Sequence, residues 1–385
     1  MTDTSPRIVF LGTHGQYNIG DELLLETFLH HLGADSSYVV NSYDPAFTAQ
    51  QLGGRYRVEL IDTAKDRVPL LRHLWRADAV VFGGGSIVKE LYASIGRNRY
   101  ATLLMILAIV TFTRWVARTP IAMLNIGVGP IRTRTGRVLA RLILSQADLV
   151  TVRDPGSYAL CRQLGLASVR SVTDAVFSVT PSWLLDGEPD RVSPAGDQPV
   201  RIALNLNFDI ENPDNWEHFL GQLATALRGV AEHRRIELHG LPMQSRGKQH
   251  DDATMLREFA ARLPGIPYVE HLPSTHVDVA RLIGSCDLLV SERLHAIVMA
   301  SILSVPAFVL AYDVKVRELG RMLGLEDAMV DINRPFDPDA VRRGIEGLLD
   351  DPLAGSALHA RSQSLAERAQ GEMTASRAWV RERVA

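Results

Sequence analysis

The chain is poor in the residues that lock small or secreted folds. It has two cysteines in 385 residues, Cys161 and Cys286, far apart and outside any CxxC pair. That excludes a disulfide framework and a cysteine-ligated zinc centre, and it fits a reducing compartment. It also lacks a charge excess. Lys and Arg number 41 against 44 Asp and Glu, a formal net charge of −3, so no global basic field points to nucleic acid. The twelve histidines are scattered, with no HExxH or HxH cluster, and no metal site is expected. Dinucleotide, P-loop and nucleophile-elbow signatures are absent as well.

Long apolar runs are scarce. The strongest lies within RNRYATLLMILAIVTFTRWVAR, 97–118, and falls short of the roughly 17–25 residues that span a bilayer. It reads either as a buried core helix or as a surface that touches lipid. The second reading rests on Arg97, Arg99, Tyr100, Arg114, Trp115 and Arg118, which flank the run as interfacial anchors do. The opening MTDTSPRIVFLGTHG passes almost directly into a strand, without the basic, apolar and small-residue regions of a secretory leader. The expected location is the cytoplasm, with contact at the inner face of a membrane as an extension of it.

What is present is a rhythm. RIVFLG, SYVVNSY, ADAVVFGGG, PIAMLNIGVGP, DLVTVRD and SVRSVTDAVF read as strands, separated by helices such as DELLLETFLHHL and RTGRVLARLILSQ. The stretch 186–199, DGEPDRVSPAGDQP, is rich in Pro, Gly and Asp and reads as a linker. After it the rhythm restarts with VRIALNLN, a long helix, RIELHGLP, IPYVEHL and CDLLVSERLHAIVMASILSVPAFVLAY, and ends in a charged helical tail. Strands alternating with helices predict parallel, doubly wound Rossmann-like sheets. The expected division is an N-terminal α/β domain over 1–185, a linker over 186–199 and a C-terminal α/β domain over 200–385. Two such domains should face each other across a cleft, with ligands at the carboxyl ends of their strands.

Several strand-end loops carry polar residues at such positions. GTHGQYNIGDE offers Asn18 and Asp21, either as helix caps or as contacts to a hydroxylated or anionic ligand. His14, in the same loop, is a weaker candidate. FGGGS, 82–86, puts Gly84, Gly85 and Ser86 at a strand end, where a ligand or another backbone comes close and N–H groups can meet an anion. Arg153 and Asp154 in VRDPGS read as a structural pair or as an anion-binding arginine. The sharpest misfit is SERLHAIVMAS. Arg293 and His295 stand at a helix start, where anions and not cations are favoured. An anion there would resolve the misfit, with Arg293 and Arg153 as its clamps and His295 as a proton donor. Lys315, with Tyr312 near it, would reach the same rim.

In order, GQYNIGDE, FGGGS, NIGVGPIRT, VRDPGS, VTDAVF, SERLHAIVMA and AYDVK resemble the polysaccharide pyruvyl transferase family over roughly residues 7–325. The resemblance implies a GT-B-like architecture. It implies transfer of a pyruvyl group from phosphoenolpyruvate to a sugar of a cell-surface polysaccharide or glycolipid precursor, as a cyclic ketal, with no cofactor. His295 would be the general acid and Arg293 and Arg153 would hold the donor. Glu292, directly before the triplet, departs from the small or apolar residue expected there. Two other readings stay open: a glycosyltransferase with a nucleotide-sugar donor, and a non-catalytic glycan-binding member. The acceptor sugar, the hydroxyls bridged and the oligomeric state are not encoded in any motif.

Overall fold

The structure, a computed structural model, describes residues 5–91, 98–187, 198–208, 212–244 and 251–384. Its strands fall into two sheets. The first holds β1 (Arg7–Leu11), β2 (Ser37–Ser42), β3 (Val58–Asp62), β4 (Ala79–Gly83), β5 (Ile121–Ile126), β6 (Leu149–Val152) and β7 (Arg170–Ser171), in the order β3-β2-β1-β4-β5-β6-β7. The second holds β8 (Val200–Asn205), β9 (Ile236–Gly240), β10 (Tyr268–Glu270), β11 (Leu288–Ser291), β12 (Ala307–Ala311) and β13 (Met329–Asp331), in the order β10-β9-β8-β11-β12-β13. All these pairings are parallel. Apolar strands such as RIVFL and AFVLA are buried on both faces, as parallel sheets covered by helices require.

The helices are α1 (Ile19–Leu32), α2 (Pro45–Leu52), α3 (Arg67–Trp75), α4 (Ala101–Phe112), α5 (Arg134–Leu144), α6 (Pro155–Gln163) and α7 (Pro181–Leu184) in the first half. Those of the second half are α8 (Trp216–His233), α9 (Asp252–Ala260), α10 (His276–Gly284), α11 (Leu294–Ile302), α12 (Val314–Met322), α13 (Pro338–Asp350) and α14 (Ala354–Val384). Many start at a side-chain cap: Asp44, Thr133, Asp154, Asp251 and Asp313 each accept a backbone N–H of the first turn. A π-helical turn over Thr113–Ala117 extends α4.

The predicted strand SVRSVTDAVF is shorter in the structure. Only Arg170 and Ser171 pair with β6, and Ala175–Ser178 form a 3₁₀ turn. Side chains replace the ladder there. Asn125 Nδ2 donates to the Thr173 carbonyl and Asn125 Oδ1 accepts from Ala175 N–H, while Asp174 accepts from Val176 N–H. Local polar competition of this kind ends a strand.

Contacts divide the chain into two compact units. One is Met1–Gln16, Asp21–Ser178 and Glu367–Ala385; the other is Tyr17–Gly20 and Val179–Ala366. The division therefore falls ahead of the 186–199 stretch, most of which lies outside the described residues. Residues 179–187 belong with the second unit because α7 packs against α10. There Trp183 stacks on His276, ring centroids 5.3 Å apart, and Arg281 reaches the Leu185 carbonyl at 3.5 Å. The end of the helical tail belongs with the first unit, where Arg381 pairs with Asp35 at 2.6 Å.

In both sheets the strand order reverses direction once, between β1 and β4 and between β8 and β11. Open α/β sheets bind ligands outside the carboxyl ends of the strands at this switch point. The loops after β1, β4 and β11 carry GTHGQYNIGDE, FGGGS and SERLHAIVMAS, while VRDPGS and AYDVK follow β6 and β12.

Candidate functional site

In the second unit the site is built around Arg293. It caps α11 with an extended backbone, φ −81°, and no side-chain cap. Its own N–H is held instead by Ser291 Oγ at 3.0 Å and by Asn205 Oδ1 at 3.2 Å. Its guanidinium turns to Asp252, the first residue of α9. Nη2 lies 2.8 Å from Asp252 Oδ1, Nε 3.3 Å from Oδ2, and Nη2 also reaches Gln244 Oε1 at 3.2 Å. The pair is buried, with the Asp252 side chain 1% exposed. The misfit of a cation at a helix start thus has a source inside the chain: the anion beside Arg293 is Asp252, itself well placed at the N-terminus of α9.

Asp252 does more than balance charge. Its Oδ2 accepts the backbone N–H groups of Met243 and Gln244 at 3.0 and 3.1 Å, which fixes the turn after β9. That turn in turn holds residues 17–20. Ile19 N–H donates to the Met243 carbonyl at 3.0 Å, and Asn18 pairs with Gln244 as an antiparallel bridge. Asn18 Oδ1 accepts from Gly20 N–H at 3.0 Å. Gly20 lies directly against the His295 ring. A Cβ there would meet His295 Nδ1 closer than atoms can approach, so only glycine leaves the ring its place. His295 is the second residue of α11 and is nearly buried.

Glu292 points inward. It is fully buried and accepts from Asn207 Nδ2 at 3.0 Å and from Asn207 N–H at 3.3 Å, just past β8. A carboxylate in that position is satisfied by hydrogen bonds and secures the turn between β11 and α11. Lys315 lies half-buried in the first turn of α12, which packs against α11. The Tyr312 carbonyl accepts from Asn333 Nδ2 at 2.8 Å.

In the first unit, Asp21, Gly85 and Thr13 converge. Thr13 Oγ1 is 3.5 Å from Asp21 Oδ2, and a Cβ on Gly85 would stand 3.0 Å from Thr13 Oγ1. Gly84 and Gly85 have φ of 64° and 69°, a conformation other residues resist. A Cβ on Gly84 would collide with Leu24 of α1. The glycines therefore let the loop after β4 lie on α1. The Gly84 N–H donates to the Leu124 carbonyl at 3.0 Å, which takes that donor away from any anion. Ser86 packs on Gly127, whose N–H donates to the Gly85 carbonyl at 2.7 Å. Arg153 pairs with Asp174 and not with its neighbour Asp154. Its Nη1 is 2.8 Å from Asp174, with both side chains below 10% exposed, and Asp154 caps α6 through Ser157.

Two buried groups, His14 in the loop before α1 and Glu22 in its first turn, are perturbed. Burial pushes the His14 imidazole down to about 3, so it is neutral, not an imidazolium acid, near neutral pH. Burial also pushes Glu22 up to about 7, opposed by a 2.6 Å bond from Gly15 N–H and assisted by the nearby Asp21 carboxylate. Among the described residues no group of three His, Cys, Asp or Glu is placed to hold a metal ion.

A family model for polysaccharide pyruvyl transferases matches residues 18–314. The chain belongs to that family. The matched range begins at Asn18 and contains Gly20, Asp252 and the Arg293-Leu294-His295 triplet. Solved structures extend the likeness to the fold. One is a UDP-GlcNAc 2-epimerase from Neisseria meningitidis bound to UDP-GlcNAc, at TM-score 0.59 and 8% identity over 98% of this chain and 99% of the other. A glycosyltransferase from Rickettsia africae aligns at TM-score 0.59 and 13% identity over 98% of each chain. MurG of Acinetobacter baumannii aligns at 0.50 and 12%, over 98% and 99%. At these identities the shared property is the GT-B-like fold of two parallel α/β sheets. In this pyruvyl transferase family member, Asn205, Gln244 and Asp252 join Asn18, Gly20, Arg293 and His295 in one set of contacts, and the motifs contain only the last four. One trace was available in sequence: the doubled Asp251-Asp252, where one carboxylate suffices as the cap.

Two outcomes follow from these geometries. Removing one partner of a buried ion pair costs about 3–5 kcal/mol, so Arg293→Ala is expected to lower the urea midpoint steeply. Combined with Asp252→Asn, the loss should fall short of the sum of the two single variants by about 1 kcal/mol or more; additive losses would show that the pair is not coupled. For Glu22, the folded protein keeps its proton to a higher pH than the unfolded chain. Stability is therefore full below about 4.5, the unfolded value, and is lost as pH rises through about 7. The advantage of Glu22→Gln over wild type in urea denaturation should grow by about 2–3 kcal/mol between pH 5 and pH 8. A pH-independent difference would refute the raised carboxyl.

Proposed function

We propose that the chain transfers a pyruvyl group from phosphoenolpyruvate to two hydroxyls of one sugar, forming a cyclic ketal and releasing phosphate. The observation that carries this reading is the family match across the Arg293-Leu294-His295 triplet, with His295 in the first turn of α11 and Arg293 held rigid beside it. Phosphoenolpyruvate brings a carboxylate and a phosphate, the groups that an arginine fork and a helix start recognise.

The chemistry balances without an external oxidant or metal. One sugar hydroxyl adds to C2 of the enol phosphate while C3 takes a proton and becomes a methyl group. The C2–O bond to phosphate then breaks, and the second hydroxyl closes the ring on C2. Of the two hydroxyl protons, one is balanced by the proton gained at C3, and the other leaves with phosphate. His295 is the assigned acid, and Gly20 leaves its ring the space to act. Arg293 offsets negative charge as phosphate departs. Its pairing with Asp252 orders the guanidinium before the donor arrives, which lowers the ordering cost of binding. Lys315 and Asn18 are assigned to the donor as well. Asp21, Gly84, Gly85 and Ser86 are assigned to the sugar acceptor of a polysaccharide or glycolipid precursor. Arg153, committed to Asp174, is assigned to holding the end of β6.

Incubation with phosphoenolpyruvate and a panel of sugar acceptors should release phosphate and add one pyruvylidene unit, read by mass spectrometry. Thermal stabilisation by UDP- or GDP-sugars alone, with none from phosphoenolpyruvate, would reject the reading in favour of a nucleotide-sugar donor. His295→Ala should lower turnover by about 10²- to 10⁴-fold while stabilisation by phosphoenolpyruvate persists; wild-type turnover would remove the acid assignment. Gly20→Ala should lower kcat more than it raises KM, because it displaces the ring and not the donor contacts. A pure KM effect would place Gly20 in donor binding instead.

A further inference from the structure

One part of the first unit takes no part in this chemistry. Helices α3, α4 and α5 lie on one face of the first sheet, and their inner residues Leu74, Leu103, Ile106 and Ile143 join a single core cluster. The π-helical turn packs against α3, and α4 packs against α5, so their outer surfaces are continuous. That outer surface is apolar where solvent should be met. Trp115 is 71% exposed and Trp75 61%, with Val68, Leu104, Met105 and Val138 also exposed. Scattered exposed apolar residues are ordinary, but a contiguous patch marks an interaction surface.

Its charge has one sign. From Asn98 to Ala147 the sequence has seven arginines and no Asp or Glu, and Arg67, Arg72 and Arg76 add three more on and beside α3. The carboxylates near these helices are engaged: Glu90 is buried and accepts from Thr133 N–H at 3.0 Å, and Glu59 pairs with Arg7 at 3.1 Å beside His73. Asp148 pairs with Arg114 at 2.8 Å, Asp78 accepts from Arg7 N–H at 2.8 Å, and Asp66 accepts from Asp62 N–H at 2.8 Å.

We propose that this face docks on a bilayer surface carrying anionic headgroups, with Trp75 and Trp115 entering the interface and the arginines meeting the headgroups. Aliphatic residues with Trp on one face and arginine around them form the composition that lies in the membrane plane. Charge complementarity selects the occupant. A second copy would set arginines against arginines in a two-fold contact, which repels, whereas an anionic leaflet attracts juxtaposed arginines. Spanning is excluded for this segment. Seventeen residues, Ala101–Ala117, rise about 25 Å as a helix, short of a hydrocarbon core of about 30 Å. Among the described residues no helix is long and apolar enough to cross.

The test is flotation of the full chain with vesicles of phosphatidylglycerol and phosphatidylcholine, against vesicles of phosphatidylcholine alone, at low and high salt. Binding to the anionic vesicles that weakens with salt is expected. Trp75→Ser with Trp115→Ser, and separately Arg72→Glu with Arg76→Glu, should each lower the partition by about tenfold or more. All four side chains are exposed, so both double variants should keep the wild-type melting curve. Leu353→Ser, exposed in the second unit, serves as the control that should change nothing. Three outcomes overturn the proposal: no flotation with anionic vesicles, flotation unchanged by both double variants, or a wild-type dimer that the tryptophan variant converts to monomer without altering flotation.

Discussion

The second unit depends on one buried ion pair. Arg293 and Asp252 belong to the starts of two different helices, and each solves the other's problem. An unpaired guanidinium at the start of α11 would face the positive end of a helix dipole in a nearly dry setting. An unpaired Asp252 would be a buried charge. Together they are held by Asn205, Gln244 and the backbone of the turn after β9. Neutral hydrogen bonds contribute about 1 kcal/mol each, so no single contact around the pair could replace it. What the pair fixes is geometric. It sets the turn at Met243 and Gln244, which seats Ile19 and Asn18, which brings Gly20 against His295. The ring of the proposed acid is thus positioned by a chain of contacts that begins at a carboxylate remote from it in sequence.

The two sheets repeat one topology, and this explains where chemistry collects. At a switch point the flanking connections run to opposite sides of the sheet, so the ends of the two central strands stay uncovered. β1 and β4 end in Gly12 and the triple glycine, and β8 and β11 end in Asn205 and in Glu292-Arg293. The first switch point is closed by small residues that let backbone lie on helix. The second is closed by charged and amide side chains. This difference in filling, more than any difference in fold, separates a glycine-lined surface from one built on the Arg293–Asp252 pair.

The sequence made the strands, the doubly wound class and the Arg-Leu-His triplet legible, because each is local: apolar runs, strand-end loops and a cation at a helix start. The partners of those residues were not legible. Asp252 reaches Arg293 across 41 positions, and nothing near either residue specifies the other. The glycine loop was legible as a close approach by a ligand or another backbone, but not which side chains lie against it: Phe10 at Gly83 and Leu24 at Gly84. Arg153 stands beside Asp154 in sequence, yet its partner in the structure is Asp174, 21 positions away. The strand expected over 168–177 failed for a related reason, since Asn125, far away in sequence, supplies the bonds that a ladder would have made.

The segment at 97–118 shows how a sequence can support two readings at once. An amphipathic helix declares its buried face by period, but α4 is apolar all round, and hydrophobicity alone cannot say which side is wet. In the structure the helix has a buried side and an exposed side. Leu103, Ile106 and Val110 are core, while Leu104 and Met105 are outside. A helix buried in a larger core would need nothing more. Here the outward residues continue onto α3 and α5, and the charges that border them are arginines without intervening carboxylates. A surface kept apolar merely by drift would carry both signs of charge, as the chain as a whole does with 41 basic and 44 acidic residues. The segregation of sign onto three adjacent helices is therefore the physical fact to explain. An anionic surface explains it with the same residues that make the apolar patch costly in water.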